Sequence, residues 1–351
     1  MRRTISRWVL LPWLAVVACG RQGASSAVDG GVEPTTDDAA SAVDGASPIF
    51  DAQTSIPPPI DDADTNPSVD AGNDDPGGPW VVFASTSAGT FDLYLVHPDG
   101  TGQRVLVQTP GSDLHPSWSP ASTGARTVAF ASDQSGQFQI YLVDVARGVV
   151  TRVPTGLAYA TNPSFSPEGA ELAFSGDTDA GGAIFRVPLD GGAAVALTTG
   201  AGHRDSAPAW ASDGTIYFAT DRSGAFEVWS VAPDGGALAQ VTTGSQIIAG
   251  PATTPDAGAL LFAQLGSGPA GSGSNTQVVL LSLADKSTSV FSSFGDFSPA
   301  MSSDGARIAM TTTRYAGVSA QIVLVNADGG APFRLTNDGG VNDEAVFEPA
   351  R

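Results

Sequence analysis

The stretch PAWASDGTIYFATDRSGAFEVWSVAPDGGALAQVTT, running from Pro208 to Thr243, decides the fold. Ala209, Trp210 and Ala211 read as a short inner strand, and Ser212, Asp213 and Gly214 as a turn. Thr215 to Ala219 is a β-rich run that Ser223 and Gly224 break. Phe226 to Val231 resumes it, and Pro233, Asp234 and Gly235 turn again before a closing Val-Thr. Asp-Gly between apolar runs signals a hairpin, because glycine accepts the positive φ that such turns require. Frequent Gly and Pro with no apolar stripe of helical period predict four antiparallel strands and no helical layer.

The same pattern recurs on both sides of this stretch. Full copies begin at Pro116, Pro163, Pro208, Pro251 and Pro299, which stand 47, 45, 43 and 48 residues apart. A repeat of roughly 40 to 50 residues is the spacing of propeller blades. Another copy begins part-way through: Trp80, Val81, Val82 and Phe83 align with Thr127 to Phe130, the second strand of a blade. Its missing first strand lies at the other end, where Ala345 to Pro349 aligns with Pro116 to Pro120. A C-terminal strand that completes the first blade closes the ring and removes free sheet edges. The expected fold is all-β: a six-bladed β-propeller over residues 80–351, closed by the C-terminal strand and preceded by a disordered linker.

The Pro-x-Trp-Ser-Pro opening at Pro116, the Ala-Phe strand, the loop from Ser132 to Gly136 or Thr220 to Gly224, and the Ile-Tyr or Val-Trp strand that follows resemble the repeats of TolB-like six-bladed propellers. The resemblance covers Trp80 to Arg351 and leaves activity open. The same repeat occurs in periplasmic TolB, in propeller domains of prolyl-oligopeptidase-type peptidases and in oligogalacturonate lyases. The α/β domain that precedes TolB's propeller has no counterpart here. Blade five departs from the pattern, with Thr253 and Thr254 in place of the aromatic-Ser pair and a Gly/Ser loop from Gly266 to Ser274.

Residues 1–18 read as a signal segment: Arg2, Arg3 and Arg7 precede an apolar run from Trp8 to Ala18 that is too short to span a bilayer. Val16, Val17, Ala18 and Cys19 resemble a bacterial lipobox, which makes Cys19, the single cysteine of the chain, the expected lipidation site. By the same resemblance, Gly20 after the cysteine implies retention at the outer membrane. The segment 19–79 is rich in Ala, Asp, Ser, Gly and Pro and carries twelve acids against the one base Arg21. It is too polar to bury a core and is expected to be a disordered tether.

Charge bounds the partners. The chain has 36 acidic and 16 basic residues, a net charge of −20, so nucleic acid and anionic headgroups are poor partners. Cations, basic protein surfaces and neutral glycans or peptides remain. The sequence has no Gly-x-Ser-x-Gly elbow, no His-Glu-x-x-His and no cysteine pair for zinc. Of three histidines, His97 precedes a blade turn and reads as an exposed loop residue. The segments leading into the inner strands place Asp113, His115, Asn162, His203, Asp205, Asp296, Asp343 and Glu344 at equivalent blade positions, the expected rim of the central channel. Carboxylates and imidazoles converging on one axis would suit Ca2+ or a transition metal there; as polar loop residues they would be merely solvated. Trp118, Phe165, Trp210 and Phe347 are expected to pack between blades.

Two functions are compatible with this reading. The first is a non-enzymatic, monomeric envelope lipoprotein whose propeller binds a protein or peptide, as TolB does a peptidoglycan-associated lipoprotein. The second is a metal-assisted glycan lyase or hydrolase at the channel mouth that uses His115 and His203.

Overall fold

The computed structural model describes residues 79–266, 276–292, 295–315 and 319–350. The signal segment, Cys19 and the acidic linker lie outside them. Six four-stranded antiparallel sheets are formed. From the axis outward, blade one is Asn342–Phe347, Val81–Ser85, Asp92–Val96 and Arg104–Val107, so strands from the two ends of the propeller share one sheet. Blade two is Asp113–Trp118, Thr127–Ser132, Gln139–Asp144 and Val149–Arg152. Blades three to six begin with inner strands Ala160–Phe165, Asp205–Trp210, Ile247–Thr253 and Asp296–Met301, and successive inner strands pack on one another around the axis. Inner strands therefore start earlier than expected: in blade four at Asp205, not Ala209. Among the described residues the one helical element is the 3-10 turn Ala121–Thr123.

Ring closure is by register and by side chains. Val81 pairs with Phe347 and Val82 with Val346, while Trp80 N donates to Glu348 Oε2 at 3.2 Å. Arg126 of blade two reaches the same carboxylate, with Nε at 2.8 Å from Oε1 and Nη2 at 2.9 Å from Oε2. The closing strand is thereby pinned to both neighbours.

One core position repeats. Phe83, Phe130, Phe174, Phe218, Phe262 and Met310 occupy corresponding places in the second strands and are at most 1% exposed. Three stack on the aromatic opposite them in the third strand: Phe83 on Tyr94, Phe130 on Tyr141 and Phe174 on Phe185, with ring centroids 5.7, 5.8 and 5.6 Å apart. Such pairs add to area burial because the ring quadrupoles are offset. Trp118, Phe165 and Phe347 are buried and Trp210 partly so, as expected for packing between blades; the Trp118 indole donates across the seam to Val346 O at 3.2 Å.

The punctuation repeated from blade to blade has local causes. In the closing Leu-Thr or Val-Thr, the hydroxyls of Thr198, Thr242 and Thr336 accept the N–H of Ile184, Val228 and Ile322, each at 2.9 Å, where short outer strands run out of carbonyls. In the Asp-Gly turns, Asp234 and Asp328 accept the N–H two residues on at 2.8 Å, while Gly235 and Gly329 hold φ near +85° and +83°.

Candidate functional site

The residue before the proline of each repeat shapes the channel. Inner strands slip register there: between Leu114 and Ser117, Thr161 and Ser164, Ser206 and Ala209, Phe297 and Ala300. The bulged residues His115, Asn162, Ala207, Ser298 and Glu344 have φ of 55, 51, 51, 47 and 58°. Left-handed backbone costs a non-glycine residue about 1–2 kcal/mol, and the proline that follows four of them donates no hydrogen bond, which suits a break in the ladder. Gly250 takes this place in blade five. Strain repeated around an axis turns one residue per blade onto the wall of a central cavity of about 200 Å³.

That wall has two sides. Ser298, Glu344, His115 and Asn162 follow one another through blades six, one, two and three, with Asp343 beside them. Opposite stand Ala207, Ile248, Ala249 and Gly250 of blades four and five. On the polar side, His115 Nε2 lies 3.1 Å from Glu344 Oε1, its backbone N–H donates to Glu344 Oε2 at 2.6 Å, and its Nδ1 is 3.0 Å from Thr161 Oγ1. Both imidazole nitrogens are engaged. Asp343 accepts from Thr311 Oγ1 at 2.6 Å.

Electrostatics couples these groups. Burial disfavours the charged form of His115, but the charge and hydrogen bond of Glu344 together with the charge of Asp343 hold the imidazole above its usual value. Burial likewise acts to raise Glu344, and the charge, imidazole hydrogen bond and backbone N–H of His115 together keep the carboxylate below its usual range. Asp343 is pushed up to about 6 by burial and by the neighbouring Glu344 charge, against hydrogen bonds from Thr311 and Ser298.

Of the expected rim residues, the structure brings together His115, Asn162, Asp343 and Glu344. The others sit elsewhere. Asp113, Asp205 and Asp296 open their inner strands, are at most 2% exposed, and do not line the channel. Asp205 accepts from Arg222 Nη2 at 2.8 and 2.7 Å, and Asp296 is paired with Arg314 and Ser292. His203 lies off the channel wall, with Nδ1 2.9 Å from Ala201 O and Nε2 3.5 Å from Asp205 Oδ1. Among the described residues no three His, Cys, Asp or Glu side chains form a metal-binding group, so the ring of metal ligands expected at the mouth is not assembled. His97, read as an exposed loop residue, stacks on Trp80 with ring centroids 3.7 Å apart. Sequence reasoning missed Ser298 and the apolar side of the wall; the signal was available in the residue preceding each repeat's proline.

Residues 156–293 match the family described as the TolB beta propeller domain. A TolB homolog from Chlorobium luteolum is 38% identical over 68 residues, 19% of this chain and 15% of that protein. The Tol-Pal system protein TolB of Francisella tularensis is 31% identical over 83 residues, 23% of this chain and 18% of that protein. The chain thus matches less than a fifth of the length of these curated relatives. The crystal structure of TolB from Acinetobacter baumannii superposes with a TM-score of 0.67 at 19% identity, covering 78% of this chain and 67% of the other. Repeat, ring closure and family match agree: the body formed by the described residues is a TolB-like six-bladed β-propeller.

Proposed function

We propose that this propeller is a non-enzymatic protein-binding module of the bacterial cell envelope, tethered by lipid on Cys19 to the outer membrane and facing the periplasm or the cell surface. The observation that carries this reading is the channel. Its cavity of about 200 Å³ is smaller than the roughly 300–1,000 Å³ of small-molecule sites, which favours an inserted side chain or peptide tip over an enclosed glycan. The divided wall suits an amphipathic insert, with a polar group against His115 and Glu344 and an apolar stem against Ile248 and Ala249. The enzymatic alternative needs His115 and His203 at one reacting centre. His115 has both nitrogens engaged and His203 is not on the wall. The envelope setting is supported by the TolB relatives and by the lipobox-like sequence at Cys19.

Cys19→Ser is expected to move the chain from the membrane fraction to the soluble fraction with its thermal melt unchanged; recovery in membranes would remove the lipid anchor from this reading. The soluble head then serves as bait against envelope extract. Asn162→His places in blade three the residue that the same bulge already carries in blade two, and histidine tolerates left-handed backbone better than most residues. It narrows the channel, and capture of the specific envelope protein should weaken at least about tenfold, on the scale of a hot-spot loss. Undiminished capture by the folded variant would place binding on another face.

A further inference from the structure

The repeats act as internal controls for one another, and one seam departs from the rest. In blade four the opening residue Asp205 pairs in register with Thr220, and two residues on stands Arg222, whose Nε donates to Thr220 Oγ1 at 3.2 Å while Nη2 binds both Asp205 oxygens. Blade six repeats the device: Asp296 pairs with Thr312, and Arg314 Nε donates to Thr312 Oγ1 at 3.0 Å while Nη2 reaches Asp296. Blade two has the aspartate without the arginine. Asp113 pairs with Ser132, and two residues on stands Gln134, whose N–H meets Ser132 Oγ at 3.3 Å as the arginine N–H groups meet their threonines.

The missing cation is compounded by an added anion. Third strands begin with Gln139, Thr276 and Gln321 in blades two, five and six and with acids in blades one and four, Asp92 and Glu227. Glu227 is partnered at both oxygens by Thr242 Oγ1 and the Ser245 N–H, and the next inner strand opens with Ile247, whereas the inner strand that follows Asp92 opens with Asp113. Asp92 is 0% exposed; its Oδ2 accepts from Gln108 at 3.2 Å, and its buried Oδ1 has no hydrogen-bond partner. Thr109 joins the two carboxylates. Its N–H donates to Asp113 Oδ2 at 3.2 Å and its hydroxyl to Asp113 Oδ1 at 2.9 Å, while the same backbone N–H acts electrostatically on Asp92, opposing the upward pull of burial. Among the described residues no arginine, lysine or histidine acts on either carboxylate. Burial, joined by the charge of Asp92, pushes Asp113 up to about 7. Removing two like charges from water without a counter-charge costs several kcal/mol per ion.

We propose that the seam between blades one and two binds an oxygen-seeking cation between Asp92 and Asp113, in the place that arginine side chains take in blades four and six. The vacant Asp92 Oδ1, the Asp113 carboxylate and the hydroxyls of Thr109 and Ser132, which lie 3.3 Å apart, make an all-oxygen donor set. That chemistry selects calcium-like ions over zinc or copper. The site is buried between blades and is separate from the channel.

The test is a thermal melt of the metal-stripped chain titrated with calcium chloride. A ligand of the folded state alone should raise the melting temperature by roughly 3–5 °C for each tenfold excess over Kd in a domain of this size. Gln134→Arg installs the repeat's own cation, and should melt higher without calcium and no longer respond. Asp92→Asn should also lose the response, while Asp343→Asn, on the channel wall, should keep it. A calcium response equal in the parent chain and Gln134→Arg would assign the ion to the general acidic surface and overturn the proposal. So would a parent chain indifferent to calcium; if its stability instead rose as pH fell from about 8 to about 6, the two carboxylates would share a proton.

Discussion

Deleting residues 341–351 is expected to abolish the cooperative melt of the propeller and to leave an aggregating chain. The deletion removes the inner strand of blade one, so Val81–Ser85, buried throughout, becomes an open apolar edge of the kind that recruits other chains. It also removes Phe347 from the core shared with Phe83 and Leu324, and a phenylalanine cavity costs about 3–5 kcal/mol. Arg126 loses its bidentate partner Glu348, and breaking such a largely buried pair costs about 3–5 kcal/mol. These terms overlap, yet together they approach the roughly 5–15 kcal/mol that stabilises a whole domain. Urea unfolding and size-exclusion chromatography of the truncated chain are the measurements. A monomer with an unchanged transition would mean that the ring does not depend on its closing strand.

Phe174→Ala should produce the next largest loss, about 3–5 kcal/mol, seen as a fall in melting temperature of roughly 8–15 °C. Phe174 is fully buried, stacks on Phe185, and belongs to the core that spans blades one to three. Its cavity therefore loosens neighbouring blades as well as its own. Val290→Ala provides the contrast: at 57% exposure on an outer strand, it should change stability by no more than about 0.5 kcal/mol. Similar losses for the two variants would contradict the layered core.

The architecture was legible because its determinants are local and repeated. Asp-Gly turns fix hairpins within a few residues, the closing threonines satisfy amides in their own blade, and a period near 46 residues multiplies each signal. Even closure of the ring could be read, since Ala345 to Pro349 supplies the one strand that Trp80 to Phe83 lacks. Side-chain direction around the channel was not legible in the same way. Asp113 and His115 are two apart in one strand and would share a face if the pleat were regular. The left-handed bulge at His115 breaks that rule, sending the histidine to the channel and leaving the aspartate in the seam. Equivalent sequence positions therefore became two populations.

What the sequence by itself determined is the number of blades, their strand order and the place where the ring closes, because hydrogen-bonded turns and alternating apolar residues specify a sheet without reference to its neighbours. What only the tertiary structure decided is which polar groups meet: His115 with Glu344 across 229 residues of chain, Arg126 with Glu348 across 222, and Asp92 with Asp113 around Thr109. Those encounters arise between blades, where curvature and bulges set the distances, and a charge buried there is favourable or costly according to a partner that no local pattern names.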